Sequence, residues 1–439
     1  MTRSRWRRRS TGRKAARLGA AALLLGGLGA EAAEQGEDAG PYGPLSGDPG
    51  LSLGEVVRAA VQRLPERLEP QAREREAEAL ERRAAAWLPG NPALAISHTN
   101  DAVGTDAGNR EWEGGLEIPL WRPGQRSARR DLAEGAAAQA QAGREALRLE
   151  AAGRVRERLW GLALQRKRVA MARIELETAE ALEEKVTRRF ELGDLPRSEV
   201  LMARDRVVQK EAALAEARSG LRARRADYRR LTGLERTPQQ WREPRAEGGK
   251  APAGPEPYAE LLRDHPALAR ARRAVERRRA QRELAGEEAA ESPSLMLGTR
   301  RERGAGGETV NSLQASLHIP LGQRTQTQYQ RASAGVELAQ AESRLARLRR
   351  DLRGALERAH EAVAAARELL RRARRREETA GETLEMARRA FEAGEYDLID
   401  LLRVQDRYAA ARQARAQQAL ELQRAIARYN QAAGEVPQP

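Results

Sequence analysis

Two kinds of periodicity divide the chain. Over Trp112–Ile118, Trp112, Gly114, Leu116 and Ile118 alternate with Glu113, Gly115 and Glu117. Over Leu313–Ile319, Leu313, Ala315, Leu317 and Ile319 alternate with Gln314, Ser316 and His318. A period of two is that of a strand with one apolar and one polar face. Elsewhere the apolar positions are sparse and small, as in Leu132, Ala136, Leu147, Leu159, Leu162, Val169 and Ile174. They sit in long stretches of Ala, Leu, Arg, Glu and Gln, all good helix formers. The pattern predicts a helix over 53–87 interrupted near Pro65, strands over 92–100 and 110–120, a helix over 127–192, a turn at 193–196 and a helix over 198–231. A second series follows: helix 258–290, strands 293–301 and 308–319, helix 325–392, a turn at Gly394 and helix 398–432.

The two series are copies of one unit. Leu116–Leu120 (LEIPL) recurs 201 residues later as Leu317–Leu321 (LHIPL), and Phe190–Asp194 (FELGD) recurs as Phe391–Glu395 (FEAGE). Asp205 and Asp406, Tyr228 and Tyr429, Gly233 and Gly434, Pro65 and Pro266, and Pro92 and Pro293 keep the same offset. A constant spacing over that range marks an internal duplication. The fold class expected is mainly α with a small β part, built from a duplicated helix-strand-strand-helix-helix unit.

Length constrains the assembly. A helix of roughly 66 residues spans about 100 Å, far more than a globular domain needs. The two shorter helices of a unit, placed end to end, match one long helix. Four strands of about ten residues, apolar on one face, fit an outer-membrane barrel, but four strands leave open edges. Three chains would supply twelve strands and close the barrel. A secreted or periplasmic coiled-coil structural or adaptor protein accounts for the helices alone, and a soluble dimerisation sheet accounts for the strands alone. Trp87, Trp112 and Trp121 flank the first strand pair as candidate interfacial anchors.

The N-terminus bears on the compartment. Eight Lys/Arg residues between Arg3 and Arg17 precede the apolar run Leu18–Ala30, and Ala30-Glu31-Ala32 fits a signal-peptidase site. That order predicts a secretory signal peptide over 1–32, with a run too short to span a bilayer. A basic nucleic-acid-binding tail would not need the apolar run. Without these residues the formal charge falls from +15 to +8, spread over interspersed Arg and Glu, so no nucleic-acid partner is expected. The chain has no cysteine, which excludes disulfides, thiolate metal sites and lipidation at an N-terminal Cys.

No catalytic or cofactor constellation emerges, and the reading is of a protein that is not an enzyme. His98, His265, His318 and His360 are scattered, without ligands at metal spacing. His318 shares the polar side of its strand with Gln314 and Ser316, and Glu117 holds the equivalent place in the first copy. These positions, Glu117, Gln314 and His318, are the candidate lumen-facing residues. Gly304–Gly307 lies between two strands and reads as an external loop, not a phosphate cradle. Gly193 and Gly394 suit helix C-terminal caps, and Pro196 suits the first turn of the following helix.

With those residues in place, the chain resembles the TolC family of outer-membrane efflux proteins, particularly the cobalt–zinc–cadmium-type components of resistance–nodulation–division pumps. The resemblance is carried by Leu51–Ala60 (LSLGEVVRAA), Trp87–Leu94 (WLPGNPAL), Leu116–Leu120 with Gly124-Gln-Arg126, Tyr228–Gly233 and His265–Leu268. It implies a homotrimer with a twelve-stranded barrel in outer-membrane lipid, continued by a long α-helical barrel through the periplasm. It also implies a periplasmic adaptor (membrane-fusion) protein and an inner-membrane resistance–nodulation–division pump as partners. The organisation expected is a signal peptide at 1–32, a linker at 33–50, repeats at 51–233 and 258–433 separated by a linker at 234–257, and a tail at 434–439. The resemblance would make 234–257 part of a belt around the helical barrel. It makes Gly193, Leu195, Pro196, Gly394 and Tyr396 the adaptor-docking tips. Glu199 and Asp400, again 201 apart, correspond to early-helix acids that line the periplasmic entrance in this family. Threefold symmetry would set six carboxylates around one aperture, attracting cations and raising some of their pKa values. Arg403 stands where a second acid is expected, one turn from Asp400 and placed to pair with it. Ordinary helix-start acids favoured by the helix dipole are the alternative.

Overall fold

Ser52 opens the first helix, α1 (Leu53–Arg63), with a reciprocal cap. Its hydroxyl accepts from the Glu55 amide at 3.1 Å, and its own amide donates to the Glu55 carboxylate at 2.8 Å. The computed structural model describes residues 43–104, 106–246, 256–321 and 324–438. The expected signal peptide, residues 33–42 of the N-terminal linker and residues 247–255 between the repeats lie outside them. Every element belongs to the unit Leu45–Pro439.

Pro65 cannot continue α1, and a 3-10 turn (Pro65–Arg67) leads into α2 (Leu68–Ala85). Strands β2 (Ala93–Asn100) and β3 (Arg110–Pro119) follow, then α3 (Gln125–Glu191, 67 residues) and α4 (Arg197–Thr232). The second copy gives α5 (Glu256–Leu261), α6 (Pro266–Glu288), β5 (Ser294–Arg303), β6 (Thr309–His318), α7 (Arg324–Glu392, 69 residues) and α8 (Leu398–Ala433). The expected helix over 258–290 is therefore two helices. Pro266 at the first helical position and the His265 side chain, which accepts from the Ala267 amide at 3.2 Å, start α6 afresh. A short parallel pair, β1 (Ser46–Asp48) with β4 (Arg236–Pro238), was not anticipated.

The long helices organise the packing. α2 and α4 lie against α3, α6 and α8 lie against α7, and α3 also meets α6 and α8. Small residues let α3 and α6 approach: a Cβ on Gly135 would sit 3.2 Å from the Arg277 backbone. One core gathers Val56, Val57, Val155, Leu162 and Tyr228; another gathers Leu268, Leu356, Val363 and Tyr429. Val155 and Leu356, Leu162 and Val363, and Tyr228 and Tyr429 are each 201 apart, so the duplication is a duplication of core positions. The helices α4 and α8 both end on left-handed glycines, Gly233 (φ 72°) and Gly434 (φ 88°).

The four longer strands form one antiparallel sheet in the order β2-β3-β5-β6, leaving β2 and β6 as open edges. Arginines fasten it to the helices. Arg122 donates to the carbonyls of Glu287 (2.8 Å) and Ala290 (3.1 Å) at the end of α6, and buried Arg129 donates to Pro89 O at 2.9 Å and to Glu288 at 2.7 Å. Positive side chains on the free carbonyls of helix C-termini are favoured by hydrogen bonding and by the helix dipole. Trp121 belongs to this junction. Its indole N–H donates to Trp87 O at 2.8 Å, with the Arg126 and Arg129 guanidiniums over its ring.

Candidate functional site: helical tips and sheet faces

Both tips are built alike. After α3 the chain turns through Gly193 (φ 84°), whose amide donates to Phe190 O at 3.0 Å while Asp194 N donates to Arg189 O at 2.9 Å. After α7, Gly394 (φ 77°) repeats this with Phe391 O at 3.2 Å and Glu395 N to Ala390 O at 2.8 Å. This double bond closes the last turn and requires the left-handed residue. Pro196 stands at the N-cap of α4, one residue ahead of the expected first turn, and Asp397 holds the same place before α8. A shared core of Leu182, Val186, Val200, Leu384, Phe391 and Leu398 joins the two tips, with Leu195 packed on it. Leu192, Tyr396, Ile399 and Leu201 are exposed around it.

The two equivalent acids have unlike surroundings. Glu199 is half-buried, and one of its carboxylate oxygens has no hydrogen-bond partner among the described residues. Burial, and next the charge of Asp397, push its pKa above the usual carboxylate value, with Arg189 partly opposing them. Asp400 is exposed and pairs with Arg403 at 3.2 Å, along one helix. The structure thus sets Glu199 beside Asp397 of the other tip. Arg189, which donates to Phe391 O at 3.2 Å with its guanidinium 5.2 Å from the Phe391 ring, links the tips, as does the Arg206–Asp406 ion pair. Sequence reasoning missed Asp397, although an Asp immediately before an apolar helical run is an N-cap signal. Arg189 and Arg206 carry no such local mark.

The sheet register separates its two faces. Glu111, Glu113, Glu117, Arg300, Glu302, Gln314, Ser316 and His318 share one face. There Arg300 lies 2.6 Å from Glu111, 3.7 Å from Glu113 and 3.4 Å from Glu302. Leu94, Ile96, Trp112, Leu116, Ile118, Leu297, Leu313 and Leu317 share the other. Leu94 is 72% exposed and Leu313 89% exposed. No helix among the described residues is long and apolar enough to cross a membrane, and no group of three acidic or His side chains there is placed to hold a metal ion.

A model of the outer membrane efflux protein family matches residues 60–234 and 258–435, most of the chain. The chain belongs to the outer membrane efflux protein family. Solved structures share the fold. CusC, described in crystal structures of folding and transmembrane channel formation, has 16% identity over 87% of this chain and 92% of its own, at a TM-score of 0.68. VceC of Vibrio cholerae has 17% identity over 87% and 96%, at 0.67. The CmeC outer membrane channel of Campylobacter jejuni has 15% identity over 87% and 85%, at 0.65. No curated protein matches the chain in sequence. As a member of this family the protein is an outer-membrane efflux protein, and the coiled-coil structural reading falls away.

Proposed function

We propose that three copies of the chain assemble with threefold symmetry into a passive duct that performs no chemistry of its own. The observation that carries this is the four-stranded sheet with two open edges and one exposed apolar face. Pairing β6 of one copy with β2 of the next removes every edge, turns the apolar face to lipid and yields twelve strands. The face bearing Glu111, Glu113, Glu117, Gln314 and His318 then lines the lumen. Residues 1–32 act as the export signal, and the two repeats supply the paired hairpins of a helical barrel.

In this reading a periplasmic adaptor docks on the tips at Gly193, Leu195, Pro196, Gly394 and Tyr396, where Leu192 and Ile399 add exposed apolar surface. An inner-membrane resistance–nodulation–division pump supplies the energy. Glu199 and Asp400 border the entrance, with Arg403 neutralising part of the Asp400 charge. Heavy-metal cations are the proposed cargo, favoured by four acids against one Arg300 on the lumen face.

Native mass spectrometry of the detergent-extracted protein tests the assembly and should give three times the chain mass. A dominant monomer or dimer defeats the barrel. Planar-bilayer recording tests the aperture: Glu199→Gln with Asp400→Asn should lower cation selectivity, and unchanged selectivity in an intact trimer removes these acids from the entrance.

A further inference from the structure

Three arginines stand on the apolar face of the sheet at its far end from the helices. Arg110 of β3 lies directly across from Arg303 of β5, and Arg301 lies across from Trp112 on the same face. All three are exposed, and among the described residues none has an acidic partner, whereas Arg300 on the opposite face has three. Like charges directly opposite one another destabilise a strand pair, so this end of the sheet calls for an anion.

Beside the arginines the same face is hollowed. Gly114 and Thr299 are small between larger neighbours, and a groove of about 480 Å³ runs between Ile96 and Leu313, with Trp112 and Arg301 at its upper wall. Ile96, Gly114, Thr299 and Leu313 make a largely apolar floor, and Arg301, Asn311 and the Trp112 indole border it, as at a membrane–water boundary. Strands enter and leave this sheet from helices at one end only, and the β2–β3 and β5–β6 hairpins close the other. With the helices in the periplasm, the arginine end reaches the outer leaflet.

We propose that this face is a binding site for a phosphorylated lipid of the outer leaflet, its phosphates on Arg110, Arg301 and Arg303 and an acyl chain along Ile96, Gly114 and Leu313. Guanidinium groups suit phosphate because they donate two parallel hydrogen bonds. Phosphate between Arg110 and Arg303 converts a repulsive pair into a clamp, and threefold symmetry provides three such sites. The site rests on the channel reading, which sets this face in lipid.

The test uses the purified channel in detergent, titrated with lipid A carrying both phosphates and with the same lipid enzymatically dephosphorylated, followed by native mass spectrometry. The wild type should retain the phosphorylated form and bind the dephosphorylated one far more weakly. The variant Arg110→Gln/Arg301→Gln/Arg303→Gln should lose about 100-fold in apparent affinity, with single-channel conductance unchanged. Equal retention of both lipids by the wild type overturns the site without reference to any variant, as does undiminished binding by the triple variant. A wild type that forms no channel in the same preparation refutes the channel reading, and the lipid site with it.

Discussion

Arg156 is the side chain whose loss should be felt most widely. It lies on α3 of the first repeat, 5% exposed, and its guanidinium donates to both Glu243 carboxylate oxygens at 2.8 and 2.6 Å. It also donates to Gln431 Oε1 at 2.6 Å and to Glu435 O at 3.0 Å, beside the end of α8. One residue thus ties the first repeat, the segment between repeats and the end of the second. Arg156→Gln removes a charge-assisted fork and leaves Glu243, 18% exposed, without its cation. Breaking a buried pair from one side costs about 3–5 kcal/mol. Thermal melting of the detergent-extracted channel, followed by circular dichroism, should fall by about 6–10 °C, at roughly 2 °C per kcal/mol for a large chain. Glu243→Gln should be milder, because Arg156 keeps Gln431 and the Glu435 carbonyl. The double variant Arg156→Gln/Glu243→Gln should recover part of the loss, since no unpaired carboxylate remains. A melt within 1 °C of wild type for Arg156→Gln, or strictly additive losses in the double variant, would refute the argument.

Three further outcomes are expected. Gly193→Val and Gly394→Val place a β-branched residue at positive φ in the tip turns, so resistance should fall while outer-membrane insertion persists; full resistance in the double variant counts against docking there. Glu199 has a raised folded pKa, so its contribution is fully favourable below its ordinary value of 4.5 and is lost as pH rises through the folded value. Glu199→Gln should therefore slow hydrogen exchange in the tips at pH 7, where Asp397 repels the carboxylate, and make little difference at pH 4; an equal effect at both pH values would exclude the charge as cause. The Tyr228 phenol, pushed up to about 12 by burial, donates to Arg236 O at 2.8 Å, whereas the buried Tyr429 hydroxyl finds no partner among the described residues. Tyr228→Phe should cost about 1–2 kcal/mol and Tyr429→Phe close to nothing; equal melting losses would contradict this.

Backbone features were legible because their causes are local. The period-two stretches became β3 and β6 within one residue of their expected ends, since alternation and flanking Pro and Gly are properties of neighbours in sequence. The turns at Gly193 and Gly394 were readable for the same reason: a long helical run must stop, and glycine is the residue that accepts the left-handed stop. The division of 258–290 was readable in principle too, because Pro266 cannot accept the amide role of a helix interior and favours a first turn. What stayed hidden depends on residues far apart in the chain. Arg122 acts on carbonyls at the end of α6 some 160 residues away, and Arg129 on the Glu288 side chain and Pro89 O, and nothing in a run of Arg and Ala marks which guanidinium will find them.

The duplication itself explains where the offset arithmetic stops working. Two copies of one unit packed side by side in a single chain cannot both have the same neighbours. Positions facing their own unit keep equivalent surroundings, as Val155 and Leu356 do in matching cores. Positions facing the other unit do not. Arg156 corresponds to Glu357, which pairs with Arg353 on its own helix at 2.9 Å and, among the described residues, has no ion pair to the other repeat. Glu199 turns toward Asp397 of the neighbouring tip while Asp400 turns to solvent and Arg403. A ring made from three chains would therefore alternate two chemically different hairpins, one whose acid is crowded by a neighbour and one whose acid is compensated along its own helix. Within each chain burial and the charge of Asp397 hold the Glu199 carboxyl above its ordinary value, with Arg189 partly opposing them, whereas Asp400 is paired with Arg403 along its own helix.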